Sequence, residues 1–374
     1  MNTLVTTALK DYVVDLACRI QQVPAPTFRE SQRAEFVQGE MQRLGLHDVQ
    51  CDATGNVWSC WPGGGGRPLV VSAHLDTVHT ILADLPLAKL EGRIHGPGIA
   101  DNSLGLAALL GAGSWLVQTG IDPGGPVWLV ANVGEEGLGN LAGMKTVVNR
   151  FGEEALAYLV LEGLGLGQIC HRGLGVIRYR ISAETCGGHA WVNYGTPSAI
   201  HELSRLVAAL ADIPIPPKPR TSLNVGRIGG GVSINTIASD AWCEIDLRSE
   251  DQVYLSRLAS RVRKIAQSSQ RQQVTFRTET IGNRPAGQLS SGHPLIRLAA
   301  GCLEELNLPV TLEIGSTDAN IPLSQGLPAI CLGITYGGAP HTQHEFIETG
   351  PVSQGMEQLL QIIQRAWMMD GLGR

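Results

Sequence analysis

The chain reads as an α/β protein with a mixed, mainly parallel sheet flanked by helices, into which a smaller α/β sandwich is inserted. Three observations carry this expectation. Continuous apolar runs such as "PVWLVANV" (126–133) and "LAYLVLE" (156–162) have the pattern of strands covered on both faces. They follow a wholly apolar helical stretch, "SLGLAALLGAGSWLVQ" (103–118), so strand and helix signals alternate. From about residue 173 the texture changes to strands with one wet face, and near residue 285 the first texture resumes.

Taken in order, the opening "MNTLVTTALKDYVVDLACRI" has helical spacing and carries Lys10 and Asp11, unlike the unbroken apolar core of a signal peptide. This helix is expected to break at Pro24 and Pro26. A second should restart at Thr27, whose spacing to Glu30 fits a capping box. "NVWSCW" (56–61) and "RPLVVSAH" (67–74) look like paired strands joined by a hairpin through Gly63–Gly66. A phosphate cradle is disfavoured there, because no Gly-Lys-Ser/Thr follows and no helix begins.

The inserted part should comprise a strand at 174–184, an amphipathic helix at 196–213 and the proline-rich link "PIPPKP". A strand at 241–249, a helix at 251–268 and a strand at 273–281 complete it, with an exit through "GNRPAG" (282–287). A helix near 293–306, short strands at 309–314 and 328–333, and a final helix from about 352 close the chain. The expected division is 1–172 and 285–374 for the larger domain and 173–284 for the insert.

Composition narrows the partners. Charged residues make up 17% of the 374, the net charge is −6 and no long basic block occurs, so neither nucleic acid nor an anionic membrane surface is suggested. No run approaches the roughly 18 apolar residues of a membrane span. The eight cysteines include no C-x-x-C pair, which argues against a zinc ribbon and for reduced, mostly structural thiols in a cytoplasmic protein. A small molecule is the expected partner.

The chemistry gathers where apolar strands stop. "VVSAHLDTVH" (70–79) ends a strand on His74 and Asp76, two residues apart and so on one side. "WLVANVGEEGLGN" (128–140) ends on Glu135 and Glu136 between glycines; "LVLEGLGLG" ends on Glu162; "HGPGIADNSLG" sets Asp101 before a helix; and "GGAPHTQHEF" offers His341 and His344. Open α/β sheets bind ligands beyond the carboxyl ends of their strands. Singly, a strand-end carboxylate is more often a turn residue and a lone histidine more often structural; His79 and His95 are read that way. Jointly, histidines and several carboxylates match a set that holds two zinc ions through one bridging carboxylate, and dications would relieve the repulsion. Adjacent glutamates can then divide the work, one binding metal and the other taking a proton from water.

The ordered motifs "HLDTV", "GPGIADNSLG", "GEEG", "GGHAW", "SINTIASDAWCEIDLRS", "GSTDAN" and "APHTQHEF" resemble the two-zinc exopeptidase and amidohydrolase family M20, which includes glutamate carboxypeptidase, aminoacylase, succinyl-diaminopimelate desuccinylase and peptidase T. The resemblance implies a zinc-exopeptidase-type catalytic domain and an inserted ferredoxin-like domain through which a homodimer forms. It implies two Zn2+, for which Mn2+ or Co2+ could substitute. His74 and Glu162 would bind one ion, Glu136 and His341 the other, and Asp101 would bridge them. Asp76 would orient His74, Glu135 would be the general base, and His189 would stabilise an oxyanion from the partner subunit. Asn235 and Arg248 match positions that grip a substrate carboxylate. The spacing of His341 to Glu345 selects His341 over His344.

The family's lysine after the bridging aspartate is missing, since Asn102, Ser103 and Leu104 follow Asp101. Glu162 resembles the carboxypeptidase and deacylase side, whereas "HTQHEF" resembles peptidase T. The implied reaction is hydrolysis of an amide in a small peptide or N-acyl amino acid. The alternatives are a deacylase without peptidase activity and a catalytically silent binding protein.

Overall fold

The computed structural model describes residues 3–79 and 85–369 and divides into two units, one formed by residues 1–173 and 287–374 and the other by Leu174–Ala286. In the first unit a nine-stranded sheet runs in the order His47–Cys51, Val57–Trp61, Val127–Asn132, Leu69–His74, Ala157–Leu164, Ala329–Thr335, Gln168–Gly173 and Gly287–Gln288, with Thr311–Gly315 also paired to Gln168–Gly173. The four strands from Val127–Asn132 to Ala329–Thr335 are mutually parallel and the flanking pairs largely antiparallel. The continuous apolar patterns follow from this placement, since every residue of Leu69–His74 and Ala329–Thr335 is buried.

Helix Leu104–Thr119 is buried from Leu104 through Leu116 and packs between the sheet, helix Thr7–Gln21 and helix Val352–Arg365. That position explains why it lacks a polar face. Helix Thr7–Gln21 is capped by the Thr6 side chain, which accepts from the Leu9 amide. Among the described residues no helix is long and apolar enough to cross a membrane.

Two local expectations are overturned. Val57–Trp61 and Leu69–His74 are not a hairpin: Val127–Asn132 lies between them, antiparallel to the first and parallel to the second. The Gly63–Gly66 run serves close packing instead. A Cβ on Gly63 would sit 2.1 Å from the Gly125 carbonyl oxygen, and one on Gly66 2.5 Å from Trp367 Cδ1. Nor do Thr27 and Glu30 form a capping box. The second helix is Ser31–Arg43 and its N-cap Glu30 makes no side-chain cap. Phe28 adopts φ 73°, the Thr27 hydroxyl donates to Asp76 Oδ2 (2.9 Å), and Glu30 accepts from the Phe28 amide (3.0 Å). A remote carboxylate outcompetes the local cap.

The second unit follows the order strand, helix, strand, strand, helix, strand: Gly175–Glu184, Ala199–Ala211, Thr221–Gly230, Asp240–Ser249, Gln252–Ser268 and Thr275–Arg284. Its antiparallel sheet has the order second, third, first, fourth, which is the ferredoxin-like arrangement. Along Asp240–Ser249, Ala241, Cys243, Ile245 and Leu247 point into the core under the two helices. The opposite face carries Arg178 on Asp246 (2.9 Å) and Arg180 on Glu244 (2.8 Å), which accounts for the half-wet alternation.

The seam between Val352–Arg365 and Ala329–Thr335 offers a test. A Cβ on Gly355 would lie 2.0 Å from the Ile334 carbonyl oxygen, whereas one on Gly301, in helix Pro294–Glu305, meets nothing within 4 Å. Gly355→Ala should destabilise by about 1–3 kcal/mol through overpacking. Gly301→Ala should be neutral or stabilise by up to about 1 kcal/mol through helix propensity. Urea titrations of both variants check the contrast, and equal effects would contradict this packing.

Candidate metal centre

The side chains come together because buried strands end, or nearly end, on them. His74 closes Leu69–His74, and its Nδ1 lies 3.0 Å from the Asp76 carbonyl oxygen. A carbonyl only accepts, so Nδ1 carries a proton and donates, which leaves Nε2 to face the carboxylates. That Nε2 lies 3.0 Å from Asp101 Oδ1 and 3.6 Å from Glu162 Oε2. On the other side of Asp101, Oδ2 is 2.9 Å from His341 Nε2, which is in turn 3.2 Å from Glu136 Oε1. The result is two clusters, His74–Asp101–Glu162 and Asp101–Glu136–His341, whose ligand atoms lie within 4.8 Å of one another in each and which share Asp101.

Asp76 does more than the sequence suggested. Its carboxylate is fully buried and receives the Glu135 amide on Oδ1 (3.0 Å), and the Glu136 amide and the Thr27 hydroxyl on Oδ2 (2.8 and 2.9 Å). His74 is held chiefly by the Asp76 backbone, since the carboxylate is 3.4 Å from Nδ1. One aspartate therefore sets both the imidazole and the glutamate loop. That loop closes tightly: a Cβ on Gly139 would come within 2.6 Å of Gly134. Glu135 and Glu136 are both buried, while His344 is exposed with its amide on the Thr342 hydroxyl, and it belongs to neither cluster.

Two further residues, outside the ligand motifs, anchor the site. Asn102 is fully buried; it donates to the Leu161 carbonyl (2.8 Å) and accepts from the Gly105 amide (3.1 Å). It thus ties the Asp101 loop to the strand bearing Glu162. Arg33, also buried, donates to the Leu75 and Val23 carbonyls (both 2.9 Å). Burial pulls its guanidinium down to about 10, against the opposing pull of Asp76. A charged residue on the apolar stripe of Ser31–Arg43 was the available clue.

The carboxylates and imidazoles of the cluster shift one another's proton affinity. Burial alone would discharge His74, but Glu162, Asp101 and Asp76 raise its pKa well above the ordinary histidine value. Hydrogen bonds donated to the Asp101 and Glu136 carboxylates push His341 up to about 10. Burial pushes Glu162 up to about 7 despite His74, with Asp101 and Asp318 adding to the rise. Asp101 resists its own burial because both imidazoles hold it well below the usual carboxylate range. Protons thus balance charge in a group of oxygen and imidazole donors. The donor set suits divalent cations, which would take the place of those protons: His74 Nε2 faces Asp101 and Glu162, His341 Nε2 faces Asp101 and Glu136, and one carboxylate is shared.

The remaining predicted residues lie in the second unit. His189 is exposed, and its Nδ1 accepts from the Trp191 amide (3.2 Å), so Nε2 carries the proton and is a donor. The segment Gly188–His189 pairs with Thr236–Ile237, and the Asn235 carbonyl accepts from the Ala190 amide (3.0 Å), so His189 and Asn235 are neighbours. Arg248 is not with them. It stands about 27 Å along its strand from Asp240, at 3.4 Å per residue, with its guanidinium on Asp246 (2.7 Å).

Residues 70–366 match the family described as Peptidase family M20/M25/M40. A succinyl-diaminopimelate desuccinylase of Corynebacterium glutamicum is 24% identical over 348 residues, covering 91% of this chain and 92% of that protein. Aminopeptidase PepT from Bacillus cereus has a similar structure, with a TM-score of 0.77 at 21% identity over 96% of this chain and 98% of that one. The YXEP protein of Bacillus subtilis, a dinuclear metal binding peptidase from the M20 family, gives a TM-score of 0.71 at 14% identity over 97% of this chain and 100% of the other. The two solved structures share the fold, and the match over residues 70–366 shows that the chain belongs to peptidase family M20/M25/M40 and is a hydrolase of the metallopeptidase class.

Proposed function

We propose that the protein hydrolyses an amide bond in a small peptide or N-acyl amino acid, using two divalent ions, zinc in the first instance, held by His74, Asp101, Glu136, Glu162 and His341. The observation that carries this reading is the pair of side-chain clusters sharing Asp101 beside the buried Glu135. When bound, such ions supply Lewis acidity to the scissile carbonyl and acidify an attacking water. His74 and Glu162 would hold one, Glu136 and His341 the other, and Asp101 both. Glu135 takes the proton of the attacking water and returns it to the leaving amine. Asp76 keeps Glu135 aimed by gripping its amide. His189 of a second copy, joined through the Leu174–Ala286 unit, donates its Nε2 proton to the oxyanion, and Asn235 beside it contacts the substrate carboxylate. The relatives' names support small acylated or peptidic substrates. A second reading, a deacylase without peptidase activity, is favoured by Glu162 and by the desuccinylase relative. A panel of dipeptides, tripeptides and N-acyl amino acids decides between them, and a purified, metal-supplemented protein that cleaves none of these sinks both.

Glu135→Gln should keep its full metal content and lose about 10²–10⁴-fold in kcat/KM. Near-normal turnover with metal bound would remove Glu135 as the base. His189→Ala should cost about 10²-fold or more in kcat. Mixing it with Glu135→Gln should restore part of the activity, because a hybrid dimer holds one site with both groups intact. Mixtures no more active than their components would exclude a shared site.

Metal removal has a pH signature of known sign. In the chelated protein His341 titrates near 10 instead of 6.5 and Glu162 near 7 instead of 4.5, so the folded state binds more protons than the unfolded one in both intervals. Stability must therefore fall as pH rises, through about 4.5–7 for Glu162 and 6.5–10 for His341. Melting temperatures in chelator should decline across pH 6.5–10, and less steeply in His341→Gln. Saturating zinc should flatten the decline, and a chelated protein that gains stability over this range would contradict the charge balance described.

A further inference from the structure

We propose that Glu345 is a positioning residue for the metal centre, a buried carboxylate that clamps the loop carrying Asp101 so that Asp101 can bridge two cations; the proposal rests on the metal reading above. Glu345 has no exposed surface. Its Oε1 accepts from the amides of Ala100 (2.7 Å) and Asp101 (2.9 Å), and its Oε2 from the amide of Gly98 (3.0 Å). Its own carbonyl accepts from the Gly96 amide (2.9 Å), and the adjoining strands pair Phe346 with His95. The segment Gly96–Asp101 is thus wrapped around one side chain. Gly98 at φ 75° permits the wrap, which converges successive amides on an anion as a backbone nest does.

The charge is needed for a stereochemical reason. Three amide donors are divided between two oxygens, and only a carboxylate offers acceptors at both. A glutamine offers one, and its NH2 would face an amide hydrogen wherever it pointed. The nearest ionisable group outside the metal cluster, His79, places Nε2 3.6 Å from Oε2 and has no hydrogen-bond partner there, so the amides are the chief compensation for burying the charge. Glu345 also lies four residues beyond His341, whose Nε2 is 2.9 Å from Asp101 Oδ2. One short segment therefore supplies a ligand and fixes the backbone of the residue that the ligand meets. A carboxylate that merely filled space would not spend both oxygens on the amides of the bridging loop.

The test is metal binding, read separately from turnover. Metal-free wild type, Glu345→Gln and Glu345→Ala are titrated with zinc against a competing chelator, and each is melted in excess chelator. Wild type should take up two ions. Glu345→Gln should bind the weaker of the two about 10–100-fold less tightly, with the metal-free melting temperature within a few degrees of wild type, and Glu345→Ala should lose more affinity. Should the alanine variant fail to fold, the glutamine variant decides. Wild-type affinity for both ions in folded Glu345→Gln, or a lowered metal-free melting temperature with affinities intact, makes Glu345 a structural residue only and overturns the proposal. A wild type that binds no dication brings down the metal reading first and this proposal with it, an outcome distinct from the other two.

Discussion

Anionic side chains crowded at the carboxyl ends of a buried parallel sheet set the terms for the rest of this molecule. Asp76, Asp101, Glu136 and Glu162 meet around two imidazoles, with His74, Asp76 and Glu136 withdrawn from water, Asp101 and Glu162 partly so, and His341 at the exposed edge. Charges so placed cost several kcal/mol each unless paired or hydrogen-bonded. Neighbouring carboxylates favour the charged form of both histidines, and burial opposes the ionisation of Glu162. A divalent cation held by the same groups would compete with those protons.

Geometry in such a cluster cannot be left to flexible side chains, and here backbone amides do much of the holding. Asp76 fixes the amides of Glu135 and Glu136, and Glu345 those of Gly98, Ala100 and Asp101. Asn102 adds a third tie from the Asp101 loop to the strand that carries Glu162. Each anchor joins segments far apart in the chain. Glycines serve the same end in the loop after Val127–Asn132, where a side chain at Gly139 would collide with Gly134. Buried polar side chains thus hold the backbone of the segments that carry the clustered carboxylates.

Much of this was legible from local pattern. Apolar runs that end on His74, Glu136 and Glu162, and the glycine-rich loop before the helix at Leu104, mark residues whose chemistry is exposed where burial stops. The change to half-wet strands marks the insert, and its exit falls within "GNRPAG", where the chain passes from Ala286 to Gly287 between the two units. Local pattern misled where a distant partner intervened. The Gly63–Gly66 run has the composition of a hairpin turn, but the strand that separates its flanks comes from residues 127–132. Thr27 and Glu30 have the spacing of a cap, but the Thr27 hydroxyl is taken by Asp76.

The sequence by itself determined which polar side chains stand at the ends of apolar runs or in glycine-rich loops, because hydrophobic period, strand length and turn composition are local properties of the chain. Only the tertiary structure decided that Asp101 stands between His74 and His341, that Asp76 spends its carboxylate on the glutamate loop, and that Glu345 grips the amides of the Asp101 segment. Those outcomes depend on hydrogen bonds between residues as far as 247 positions apart. Contacts of that range form only once the sheet has set its strand order, and no local spacing encodes them.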